Sequence, residues 1–187
     1  MEYDTYVFDF DGVIVDSEKY HWLSYQTNIS FEDYCKINHG VTGSYFRETM
    51  DAAKKDEVYK SYIKDIPLKD GFEEFYRRLI EFGKKVYIVT NTSQEIFNLF
   101  CEKFPFLKDI PVITGCNKPD PAGYMSIPQG GRTIVFEDSY RGFYAASQVF
   151  SNVILVNDPS YVYFDIINPK HYIKTFLELL HLQGFCQ

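Results

Sequence analysis

Apolar residues along the chain fall into two alternating kinds of segment. Short runs rich in β-branched residues occur at YVFDF (Tyr6 to Phe10), KVYIVT (Lys85 to Thr90), IPVIT (Ile110 to Thr114), RTIVFE (Arg132 to Glu137) and NVILV (Asn152 to Val156). Several lack clean polar alternation, as parallel strands covered on both faces do. The segments GFEEFYRRLIEFG, SQEIFNLFCEKF, SYRGFYAASQVF and PKHYIKTFLELLHL instead carry apolar residues at three- and four-residue spacing, which predicts amphipathic helices. Strands alternating with helices predict an α/β fold built on a Rossmann-like, mostly parallel sheet.

One stretch breaks the alternation. From Asp16 to about Leu68 there is no strand pattern, only polar and aromatic helical pattern such as YFRETMDAAKKDEVYKSYIKD. About fifty residues scarcely support a core of their own. The expected organisation is therefore an α/β core from residues 1–15 and 69–187, with residues 16–68 as a small inserted α-helical module resting on it.

Composition narrows the partners. The net charge of −7 argues against a nucleic-acid surface, which needs clustered Lys and Arg. A small phosphorylated metabolite stays compatible, because a local cation can override the global field. The four cysteines, Cys35, Cys101, Cys116 and Cys186, are scattered and form no CxxC pair, as expected of reduced thiols inside a cell. No apolar run approaches the ~20 residues of a spanning helix, and the acidic start MEYDTYVFDFDG has no basic signal-peptide region. A cytoplasmic protein with no membrane partner is expected, as a monomer or weak dimer.

Ligands of open α/β sheets bind at the carboxyl ends of the strands, and four groups of polar residues fall there. Asp9 and Asp11 end the first strand run and alternate with Phe10, so both carboxylates can share a side while Phe10 enters the core. Gly12 follows, permitting a sharp exit and a close backbone approach. Thr90 ends the second run, and Thr92 or Ser93 can cap the helix after it, where free N–H groups suit an anion. Lys118 follows the third run and can neutralise phosphoryl charge. Glu137 and Asp138 end the fourth; adjacent buried acids suit a hard cation, while Asp138 or Ser139 can equally cap a helix. As strand-end groups, Thr90 and Lys118 are expected to contribute little to the core.

Together these pieces resemble the haloacid dehalogenase superfamily, in its phosphatase and β-phosphoglucomutase-like branch with a helical cap inserted after the first motif. DFDGVIVDSE, VYIVTNTS, NKPDP and VFEDSYRG align with the four motifs of that family, and the resemblance spans nearly the whole chain. It implies Asp9 as nucleophile and Asp11 as general acid and base. It implies Thr90, Asn91 and Lys118 as holders of the phosphoryl group. It also implies Mg2+ bound by the Asp9 carboxylate, the Asp11 backbone carbonyl and Asp138, with Glu137 assisting. Crowding among carboxylates is expected to raise the Asp11 pKa towards proton transfer.

The cap contributes two further candidates: His21, at the position of a cap histidine, and Arg47, which could meet a distal anionic group. A phosphomutase is expected to carry an arginine earlier in that loop, where Gly43 and Ser44 stand. The segment PDPAGYMSIPQGGRTIVF between Lys118 and Glu137 is poor helix material, so a peripheral helix is expected to be reduced to a loop. The implied function is a Mg2+-dependent phosphomonoester hydrolase acting on a small phosphorylated metabolite, such as a sugar phosphate or phosphoglycolate, through an aspartyl-phosphate. A β-phosphoglucomutase-like phosphomutase is the alternative. A catalytically silent binding protein on the same fold is the alternative of another class.

Overall fold

In a computed structural model of the chain, residues 2–38, 52–157 and 172–182 are described. Their strands are β1 (Thr5–Phe8), β2 (Lys85–Val89), β3 (Val112–Ile113), β4 (Thr133–Glu137), β5 (Val153–Val156) and β6 (Tyr172–Ile173). They form one sheet in the order β3-β2-β1-β4-β5-β6, with every pairing parallel. The predicted α/β class and mostly parallel sheet are thus observed. Why the strands read as continuous apolar runs is plain from their two faces. Tyr6, Phe8, Val86, Ile88, Ile134 and Phe136 point into one core layer, and Val7, Val89 and Val135 into the other. The first layer is mainly aromatic: Phe8 stacks on Phe136 at 4.9 Å and meets Phe72 edge-on at 5.3 Å.

Helices α1 (Glu18–Tyr25), α2 (Phe31–Asn38) and α3 (Ala52–Tyr62) follow β1, as the insertion predicts. They are joined by α4 (Phe72–Glu81), α5 (Gln94–Lys103), α6 (Ala122–Met125), α7 (Tyr140–Ser147) and α8 (Phe176–Leu182). The inserted helices share a small cluster of Tyr25, Tyr34 and Cys35, and reach the main core through Tyr59 and Ile63. The outgoing and returning chain are bridged side by side at Val15 and Leu68. Lys103 of α5 anchors the return, donating to the carbonyls of Ile63, Lys64 and Ile66 at 3.0, 2.7 and 2.5 Å. No helix among the described residues is long and apolar enough to cross a membrane.

Two segments differ from expectation. PKHYIKTFLELLHL is not one helix: Tyr172 and Ile173 pair with Leu155 and Val156 as an edge strand, and the helix starts at Phe176. A capping box marks that start, with the backbone N–H of Thr175 donating to Glu178 Oε1 at 3.1 Å. A two-residue strand carries too little pattern for periodicity to separate it from a helix. The segment after Lys118 is loop, as expected, except for the single turn α6, which starts where Asp120 Oδ1 accepts the Ala122 N–H at 2.8 Å.

Register sets up the site. Phe8 lies opposite both Ile88 and Phe136, so β1, β2 and β4 end level. From β1 the chain proceeds outward to β2 and β3, then crosses back to β4 on the other side of β1. That reversal opens a crevice at the carboxyl end of β1.

Candidate active site

Asp9 is the first residue beyond β1. Its N–H still donates to Phe136 O at 2.9 Å, which holds the backbone on the sheet edge. Phe10 is buried against Phe97 and Phe100, with ring centroids 5.1 and 5.0 Å away. Gly12 then turns the chain at φ +73°, and a Cβ there would lie 2.0 Å from Asp138 Oδ2. Only glycine lets the loop after β1 lie against that carboxylate.

Lys118 is the centre of the arrangement. It is only 3% exposed, and Nζ donates to Asp9 Oδ1 at 2.7 Å, Glu137 Oε1 at 2.6 Å and Val89 O at 2.8 Å. All three ammonium protons are thereby committed. This corrects the expectation that Lys118 contributes little to the core: it is a buried cation between two carboxylates. Its loop is fixed from two sides. Asn91 Oδ1 accepts the Lys118 N–H at 3.0 Å, and Arg141 Nε donates to Lys118 O at 2.9 Å. Burial alone would lower the Lys118 pKa, but the charges of Asp9 and Glu137 hold it above the ordinary lysine value. Conversely, burial pushes Asp9 up against the pull of Lys118. Burial first, and the Asp9 charge second, push Glu137 up to about 7.

Asp9, Glu137 and Asp138 are all buried and each offers an oxygen within 4.8 Å of the others. Ser139 caps α7, its Oγ accepting the Gly142 N–H at 3.3 Å, so Asp138 is not needed as the cap. Glu137 Oε2 is buried with no hydrogen-bond partner among the described residues. An orphaned carboxylate oxygen in a buried acidic cluster fits a hard, oxygen-seeking cation such as Mg2+.

Asp11 faces elsewhere. Its carboxylate lies outside that cluster and accepts from Tyr59 Oη at 2.9 Å and from Thr92 Oγ1, with His21 Nε2 at 3.0 Å. His21 stacks on Tyr59 with centroids 4.1 Å apart. Burial would raise the Asp11 pKa, but the His21 charge and the hydrogen bonds from His21, Thr92 and Ser17 outweigh it and hold the carboxyl well below the usual range. The expected rise from crowding is therefore wrong for this geometry. Asp11 is turned towards donors, not towards the other acids.

These groups line a cavity of about 370 Å³. Asp9, Asp11, Thr90, Asn91, Lys118 and Asp138 form its base, while His21, Tyr25, Tyr34, Lys55 and Tyr59 face it from the inserted helices. Thr90 accepts the Thr92 N–H at 3.0 Å and is buried; Ser93 caps α5. Arg47 lies outside the described residues. Sequence reasoning missed Tyr59, Tyr124 and Arg141, and gave Thr92 a capping and anion-holding role without its bond to Asp11. Their signal is faint: Tyr59 is one aromatic within a charged helix, and Tyr124 sits in a Pro- and Gly-rich segment.

A family model of haloacid dehalogenase-like hydrolases matches residues 6–156. No curated protein matches at a significant level. Among solved structures, the fold is similar to a HAD hydrolase, family IA, variant 3, from Entamoeba histolytica, at 20% identity and TM-score 0.74, covering 94% of each chain. It is also similar to CbbY from Rhodobacter sphaeroides in complex with phosphate, at 18% identity and TM-score 0.73, covering 95% of this chain and 96% of that one. A hydrolase from Pseudomonas syringae superposes with TM-score 0.75 at 17% identity, covering 97% of this chain and 98% of its own.

Proposed function

This chain belongs to the haloacid dehalogenase-like hydrolases, and from that premise we propose that it is a Mg2+-dependent phosphomonoester hydrolase acting on a small phosphorylated metabolite through an aspartyl-phosphate on Asp9. The observation that carries the reading is Asp9 at the base of the cavity, its carboxylate 2.7 Å from the buried Lys118 ammonium and clustered with Glu137 and Asp138.

Asp9, Asp138 and Glu137 would hold Mg2+, with the Asp11 backbone carbonyl. Bound there, the ion supplies charge neutralisation for a phosphate approaching an anionic nucleophile. Lys118, Thr90 and Asn91 orient the phosphoryl group. An Asp9 oxygen attacks phosphorus, and the bond from phosphorus to the leaving alcohol oxygen breaks. Asp11 gives that oxygen a proton, then takes one from the water that attacks the phosphoenzyme, releasing inorganic phosphate and restoring Asp9. Asp11 is held below the usual carboxylate range as it stands, so it must first gain a proton before it can give one; His21 Nε2 lies 3.0 Å from its carboxylate. The inserted helices over the cavity exclude bulk water.

The proposal extends to residues 16–68 as cap and residues 1–15 and 69–187 as core. It extends also to a cytoplasmic, monomeric or weakly dimeric protein without nucleic-acid or membrane partners; the net charge of −7 supports the former exclusion. The phosphate complex of the CbbY relative accords with a phosphoryl ligand. The test is phosphate release from a panel of sugar monophosphates and phosphoglycolate. Turnover should need Mg2+ and vanish in Asp9→Asn; full turnover in that variant, or in excess chelator, refutes the mechanism. Conversion of β-glucose 1-phosphate to the 6-phosphate without phosphate release would favour the mutase instead.

A further inference from the structure

The shortened segment between Lys118 and Glu137 contributes one side chain to the site. Tyr124 stands on the single turn α6, fully buried in the layer that holds Val7, Val89, Ile127 and Val135. A tyrosine in such a layer needs a partner for its hydroxyl. The hydroxyl donates to Glu137 Oε1, and Lys118 Nζ lies 5.3 Å from the ring centroid. Tyr124 therefore touches the carboxylate and the ammonium that stand next to Asp9.

The consequence for Glu137 is an asymmetric carboxylate. Oε1 accepts from both Tyr124 and Lys118, while Oε2 accepts from no described residue. Gly142 of α7 closes against the same group, since a Cβ there would lie 1.9 Å from Oε2. The carboxylate is wedged between two donors and a helix backbone. The terminal torsion of a glutamate is intrinsically broad, so this orientation comes from its neighbours.

We propose that Tyr124 is a positioning residue of the cation site: its hydroxyl, together with Lys118, holds Glu137 Oε1 and so fixes the orientation of that carboxylate beside Asp9 and Asp138 for a divalent cation. The inference rests on the metal site proposed above. Partners that hold a ligating carboxylate typically change metal affinity by about 10–100-fold when removed.

Tyr124→Phe keeps the ring, its volume and its contact with Lys118, and removes only the hydroxyl. Calorimetric titration of the metal-free protein with MgCl2 should show affinity weakened about tenfold, with substrate KM unchanged and kcat lowered. In a Glu137→Gln background the same change should alter Mg2+ affinity by less than about twofold, because the two residues act as one unit. Unchanged Mg2+ binding in Tyr124→Phe, an equal loss with or without Glu137, or failure of Tyr124→Phe to fold would make Tyr124 a core side chain and overturn the proposal. If the wild-type protein binds no Mg2+, the metal site itself falls and takes this inference with it.

Discussion

Lys118→Met removes the ammonium that compensates Asp9 and Glu137 while filling most of the stem's volume. Lys118 is 3% exposed, and its ammonium lies 2.7 Å from Asp9 and 2.6 Å from Glu137. Without it, two buried carboxylates face each other and the Val89 carbonyl loses a donor. Breaking a buried pair by removing one partner costs about 3–5 kcal/mol, a third or more of the stability of many domains of about 5–15 kcal/mol. The sign with pH follows from the carboxyls. Both already titrate above their ordinary values in the fold, Glu137 at about 7 against 4.5. Losing the ammonium raises them further, so the folded variant takes up protons that the unfolded chain does not. The penalty is thus full above the folded pKa values and shrinks as pH falls through them, fading by about 4.5. Urea unfolding followed by circular dichroism, in chelator, at pH 8 and pH 5 reads this directly. Mg2+ at pH 8 should restore part of the loss, because it binds only the folded state. Wild-type stability of the variant at pH 8, or a penalty that stays constant down to pH 5, would refute the reasoning.

His21→Ala should let the depressed Asp11 carboxyl climb towards its ordinary 3.8, and turnover should fall modestly. The stability that Asp11 contributes above that pH, normally lost as pH falls through its folded value, should shrink with it; an unmoved Asp11 midpoint in a carbon-detected NMR titration contradicts this. Gly12→Ala forces an L residue to φ +73° and sets a Cβ 2.0 Å from Asp138 Oδ2, so it should cost about 1–2 kcal/mol and weaken Mg2+ binding. Wild-type calorimetry in that variant speaks against Asp138 as a ligand. Lys103→Met unties three carbonyls at the end of α3 and should cost about 1–3 kcal/mol, with faster hydrogen exchange near residues 63–68 but not in β1. Equal protection in the two proteins would show that the ammonium does not anchor that return.

Much of the fold was legible because its signals are local. Five strand runs stand out since a parallel strand buried on both faces is apolar at every position, and four of the site's groups follow from where those runs end. Asp9, Lys118 and Asp138 are legible for that reason. The sixth strand is not, because two residues carry no period, although the Thr175 and Glu178 capping box beside it is written in the sequence.

The chain alone thus determined most of the elements, their order and which acids and which lysine reach the sheet edge. Only the tertiary structure decided how those groups are paired and charged. Asp11 meets His21 of the inserted helices and Thr92, 81 residues away, and so it is depressed where crowding alone would raise it. Lys118 reaches Asp9 across 109 residues, and Tyr124 reaches Glu137 through a segment that reads as loop. Periodicity reports the environment of a backbone segment, whereas the charge of a buried side chain depends on the donors within hydrogen-bonding reach, and distant parts of the chain supply those.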